Sequence, residues 1–109
     1  MNTFLDLMQP VEGAELERLE PMTTLLVWTR NSLYRIVVVE GSDVLVQGGS
    51  FFQEATPARV GGASGGGTAV MSGWIRPGQL LEFSVNGKRV VTSPVFAIVI
   101  RRPDTSVVQ

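Results

Sequence analysis

The 109 residues contain no cysteine and no histidine. Without thiols the chain can form no disulfide, offers no thiolate nucleophile and carries no mark of an oxidising compartment. Without imidazole it lacks the side chain that most often moves protons near neutral pH, and the usual zinc and iron ligand sets are out of reach. Catalysis would then fall to carboxylates or to the single lysine. Five of the ten acids (Asp6, Glu12, Glu15, Glu17, Glu20) lie within the first 20 residues. The other five (Glu40, Asp43, Glu54, Glu82, Asp104) are scattered over turns, one strand face and the tail, and no D-x-D loop for calcium or magnesium occurs. Lys88 stands beside a turn and lacks the desolvated pocket that a Schiff-base lysine needs. The sequence therefore predicts no catalytic residues, no cofactor and no metal.

Charge is scarce as well. Charged residues make up 17% of the chain and apolar ones 44%, against roughly 25% charged residues in an ordinary domain. Some apolar surface is thus expected to meet a partner. The net charge of −1 conceals an asymmetry, because residues 1 to 20 hold five acids against Arg18 alone, while the remainder holds eight basic and five acidic residues. The leader is acidic and the body mildly basic. The N-terminus, MNTFLDLMQP, lacks the basic start and long apolar middle of a signal peptide, and no apolar run approaches the ~20 residues of a membrane span. A cytoplasmic protein with no membrane partner is expected.

What the chain has in quantity is pleated apolar sequence. Asn86-Gly87 lies between alternating apolar runs, and a type I′ hairpin turn needs positive φ at both central positions, which this pair supplies. The turn sets a register: Val85 with Lys88, Ser84 with Arg89, Phe83 with Val90, Glu82 with Val91, Leu81 with Thr92. Side chains alternate faces, so Leu81, Phe83, Val85 and Val90 share an inner face, and Glu82, Ser84, Arg89 and Val91 a wet one. Pro77-Gly78 suits the centre of a type II turn. Residues 68 to 102 thus read as three antiparallel strands joined by two tight turns. Pro94 cannot donate to a ladder and marks a bulge, an edge or a bend between sheets. The run from Val95 to Ile100 is apolar on both faces and is expected to be covered twice.

Upstream, Thr24 to Arg30, Leu33 to Glu40 and Val44 to Gln47 read as strands joined at Asn31-Ser32 and Gly41-Ser42-Asp43, a first meander. Gly48-Gly49 suggests a bulge. Ser50 to Val60 reads as a loop with one short strand, and Gly61 to Gly67 as a flexible loop. That loop is a poor phosphate cradle: it leads into a strand rather than a helix, with no Lys-Ser or Lys-Thr behind it and no G-x-G-x-x-G spacing. Residues 3 to 9 can form a short helix ended by Pro10, and Leu16 and Leu19 fit a further helical turn or an arm whose leucines dock.

The expected architecture is all-β: a small antiparallel barrel or compact sandwich of six to seven strands built from two meanders. Residues 1–21 form an acidic, partly helical arm, 22–102 the β domain and 103–109 a flexible tail. The expected function is a non-catalytic protein-binding or assembly module that self-associates. Partner contacts are assigned to Arg30, Tyr34 and Arg35, a polar cluster at a turn; to Phe51 and Phe52, adjacent aromatics in a non-periodic stretch; and to Val95, Phe96 and Ile98 in the two-sided run. Two alternatives stand beside it. One is a small barrel that binds single-stranded nucleic acid, with arginines for phosphate and Trp28, Tyr34, Phe51, Phe52 and Trp74 for stacking; the other is an accessory subunit of an enzyme complex.

Overall fold

Buried and exposed side chains alternate with period two from Thr24 to Gln47, and this alternation defines the first layer of the structure. The computed structural model describes residues 10–64, 70, 71 and 73–103. In chain order these form β1 (Ala14–Glu15), one turn of 3-10 helix (Leu16–Arg18), β2 (Thr24–Thr29), β3 (Leu33–Glu40), β4 (Asp43–Gly48), β5 (Phe52–Ser64), β6 (Val70–Met71), β7 (Trp74–Ile75), β8 (Leu80–Val85), β9 (Lys88–Val91) and β10 (Val95–Arg101). The chain is all-β, and every strand pairing is antiparallel.

The large sheet runs β10-β2-β3-β4-β5-β8-β9, with β6 paired to β5, and β1 pairs with β7 in a second, two-stranded sheet. Among the described residues β9 and β10 do not pair, so the sheet does not close into a barrel. The first meander stands as expected, with β2, β3 and β4 as successive neighbours. The hairpin register also stands: Val85 faces Lys88, Ser84 faces Arg89, Phe83 faces Val90 and Glu82 faces Val91. Asn86 and Gly87 take φ of 51° and 80°, the sign that a type I′ turn demands. Gly78 takes φ of 88°, and the Gln79 amide donates to the Arg76 carbonyl at 3.3 Å, closing the Pro77-Gly78 turn.

Three expectations give way. Residues 52 to 64 form one strand of 13 residues rather than a loop and a short strand. Its first half pairs with β4 and its second half with β8, so β5 is the strand that passes from one part of the sheet to the other, with a register shift between Val60 and Gly62. Gly61 to Ser64 accordingly belong to a ladder instead of a loop, their backbones held by β8 whatever their side chains lack; the rest of the glycine-rich stretch lies outside the described residues. The second meander is broken at both ends. Its first strand divides at Gly73 into β6 and β7, which join different sheets. Its last divides at Thr92 to Pro94, where β10 leaves the hairpin and pairs with β2. Polar atoms take over from the ladder there: the Leu81 amide donates to Thr92 Oγ1 at 3.1 Å, and the Asn31 amide to Ser93 Oγ at 3.1 Å. The helix expected over residues 3 to 9 lies outside the described residues, and Leu16–Arg18 forms a single 3-10 turn.

The core is built from the inner face of the large sheet on both sides of the β5 crossing: Leu25, Val27, Tyr34, Ile36, Val38, Val44, Val46 and Phe52 from β2 to β5, and Val60, Leu81, Phe83 and Val85 from β5 and β8. Phe52 sits edge-on to Phe83, ring centroids 5.3 Å apart, and Tyr34 lies 6.0 Å from the same ring. Ala14 and Leu16 enter this core from the acidic arm. The arm also closes the free side of β10: Pro10 bridges to Val99, and the Val11 amide donates to the Ile98 carbonyl at 2.9 Å. On the supposed wet face of β8, Glu82 is buried and accepts two hydrogen bonds of 2.9 Å from the Arg89 guanidinium. These bonds, and then the carboxylate charge, hold the Arg89 pKa above its usual value. No helix among the described residues is long and apolar enough to cross a membrane.

Candidate functional site

The eight residues assigned to partner contacts divide cleanly. Tyr34, Phe52, Val95 and Ile98 point into the core and present almost no surface. Arg30, Arg35, Phe51 and Phe96 are exposed. The period-two pattern explains Tyr34 and Ile98, which sit opposite Val27 and therefore share its inward face. Phe52 plugs the core while its neighbour Phe51, 4.9 Å away ring to ring, remains 55% exposed.

Phe96 owes its exposure to a bulge. Val95 stands opposite Thr29 and Ala97 opposite Trp28, so Phe96 is the extra residue and its side chain is 63% exposed. The two-sided apolar run is thus not uniformly covered: Val95, Ile98 and Val99 are buried and Phe96 is not.

The strand order brings the exposed members to one end of the first layer. The end of β2, the start of β3, the end of β4, the start of β5 and the start of β10 meet there, because neighbouring strands are antiparallel. Phe96, Leu33, Phe51 and Arg30 all belong to this end. The Arg30 amide donates to the Pro94 carbonyl at 2.9 Å, which ties the β2–β3 turn to the start of β10. Leu33, 44% exposed, was not among the expected contacts. It has the same strand parity as Arg35, and that parity was the available signal. The outer face continues the apolar surface along β2 to β4 through half-buried Trp28, Leu26 and Val37 to exposed Leu45. Among the described residues neither Arg30 nor Arg35 makes an ion pair.

A second feature, a shallow open groove of about 580 Å³, is lined by Val11, Glu12, Gly13, Trp74, Arg76 and Pro77. The Arg76 guanidinium lies over the Trp74 ring at 5.0 Å from its centroid, a cation-π contact that already occupies one ring face. The groove holds one carboxylate, Glu12, with no histidine, cysteine or second acid among its lining residues. No group of three or more acids able to hold a metal ion occurs among the described residues.

Of the five aromatics considered as stacking platforms, Tyr34 and Phe52 are core residues, Trp28 and Trp74 are half-buried, and Phe51 is exposed. Four of the basic residues are engaged: Arg18 lies 3.7 Å from Glu15, Arg59 lies 4.0 Å from Asp43, Arg89 is bound to Glu82, and Arg76 lies over Trp74.

Compared with protein-family models, curated proteins and solved structures, the chain matches none of them.

Proposed function

We propose that this chain is a non-catalytic protein-binding or assembly module that associates with itself through the end of the first layer carrying Leu33, Phe51 and Phe96. The carrying observation is that these three large apolar side chains are exposed at one end of the sheet, where strand ends fix their positions. An exposed apolar cluster of this kind is the usual mark of an association surface. Two of the three side chains, Phe51 and Phe96, are aromatic, the type that dominates binding energy.

The free edges of the sheet are poor alternatives for assembly. β9 is only four residues long and begins with Lys88 and Arg89, and short charged edges resist strand addition. Pro57 stands opposite Leu45 in β5; with no N–H to give, it removes a donor from the uncovered side of that strand. Association through a face fits this better than association through an edge. The setting proposed is the cytoplasm, on composition alone.

The test is the molar mass in solution of the chain and of its Phe96→Ser variant, by light scattering across a concentration series. A concentration-dependent oligomer that the substitution weakens supports the reading. One observation favours a second reading: Arg30 in the β2–β3 turn and Arg35 on β3 are exposed and make no ion pair among the described residues, so single-stranded nucleic acid is the alternative ligand. Binding to a labelled oligonucleotide that falls steeply with salt would favour it.

A further inference from the structure

The N-terminal arm is attached to the body in an unusual way. Among the described residues, the backbone hydrogen bonds that join residues 10 to 16 to the body reach far along the chain. The Val11 amide donates to the Ile98 carbonyl at 2.9 Å and the Leu16 amide to the Gly73 carbonyl at 2.9 Å. Ala14 and Glu15 pair with Ile75 and Trp74, and Pro10 bridges to Val99. Leu16 is fully buried. The arm therefore sits in a trough formed by β7 and the free side of β10, as an inserted strand would.

A single tight turn connects it to β2. The Thr23 amide donates to the Glu20 carbonyl at 3.1 Å, Pro21 occupies the second position and Met22 the third, with φ of 74°. The third position of a turn with positive φ suits glycine or asparagine, and methionine is strained there. Met22 is also 66% exposed, so no packing of its side chain compensates the strain. A short hinge under strain, joined to an element whose backbone pairings to the body are made to distant strands, is the arrangement that favours exchange of that element between copies.

We propose that residues 10–19 exchange between two copies of the chain, the arm of each filling the β7–β10 trough of the other. Opening the turn releases Met22 from its strained φ and gives up the hydrogen bonds of the turn itself. The contacts of Ala14, Glu15 and Leu16 are remade unchanged on the second copy, so the cost is confined to the hinge. The four glutamates at 12, 15, 17 and 20 keep a released arm in water, whereas Leu16 requires a trough, its own or its neighbour's. This inference stands on different residues from the apolar end and does not depend on it.

The test exploits the absence of native cysteine. Glu15→Cys and Trp74→Cys are placed at positions that face one another across β1 and β7; both side chains are only partly buried, so the pair spares the core. The doubly substituted chain is refolded at about 1 µM and at about 100 µM, oxidised, and run on a non-reducing gel, since exchange follows mass action. A disulfide-linked dimer band that appears at the higher concentration and falls several-fold when Met22→Gly is added supports the proposal. Cross-links within single chains at both concentrations overturn it. If that pair disturbs folding, as circular dichroism would reveal, Pro10→Cys with Val99→Cys reads the same question at the other end of the trough. The two proposals separate in light scattering. An oligomer lost in Phe96→Ser, with cross-links only within chains, keeps the apolar end and overturns exchange. A cross-linked dimer unaffected by Phe96→Ser does the reverse.

Discussion

Gly48 stands against the backbone of Leu33 so closely that a Cβ carbon on it would overlap the Leu33 carbonyl oxygen and lie 2.9 Å from the Tyr34 Cα. Its φ of 138° adds to the restriction. The contact lets the β4–β5 connection pass tightly over the start of β3, which places Phe52 in the core and leaves Phe51 outside. Gly48→Ala is expected to destabilise the fold by about 2 to 3 kcal/mol, from backbone strain and overlap together. Urea unfolding followed by tryptophan fluorescence would register it as a lower midpoint; an unchanged midpoint would mean that this approach is not a constraint.

Leu16 tests whether the arm belongs to the fold. The side chain is fully buried among core residues, and Leu16→Ala is expected to cost about 3 kcal/mol, within the range for truncating a buried leucine. If the cost in urea unfolding is near zero, the arm is not part of the cooperative unit.

Thr23 points the other way. It is fully buried and its Oγ1 has no hydrogen-bond partner among the described residues. A buried hydroxyl without a partner retains its desolvation cost, so Thr23→Val, nearly the same shape, is expected to raise stability by about 1 kcal/mol. A fall in the thermal midpoint would show that the hydroxyl is satisfied.

Much of this fold was legible in the sequence because its signals were local. Asn86-Gly87, Pro77-Gly78 and the alternation from Thr24 to Gln47 each depend on the conformational needs of a few adjacent residues, and each holds. What the sequence did not reveal depends on partners distant in the chain. Gly61 to Ser64 lack the side chains that make a strand recognisable, yet backbone hydrogen bonding to β8 holds them in a ladder. Pro94 marks the break before Val95 to Ile100, but nothing local indicates that Ser93 and Pro94 bind the β2–β3 turn. For the candidate site, strand parity could have separated Tyr34 from Arg35, and Leu33 could have been found by the same rule. The bulge that exposes Phe96 has no local mark beyond the nearby proline.

The apolar-end reading also predicts how the chain treats nucleic acid. Tyr34 and Phe52 are committed to the core and Arg89 to Glu82, which among the described residues leaves Phe51 and Phe96 as the exposed aromatic rings. A labelled single-stranded oligonucleotide at low salt is expected to show no change in mobility. Binding that weakens steeply as salt rises would favour the alternative ligand.

The central claim, that this protein works by association through Leu33, Phe51 and Phe96, is tested most directly by multi-angle light scattering on the chain and on the double variant Phe51→Ser with Phe96→Ser. Both side chains are more than half exposed, so the substitutions are expected to leave folding within about 0.5 kcal/mol of the original. The account predicts an oligomer that grows with concentration in the original chain and a monomer in the folded variant. A monomer in both, or the same oligomer in both, would contradict it.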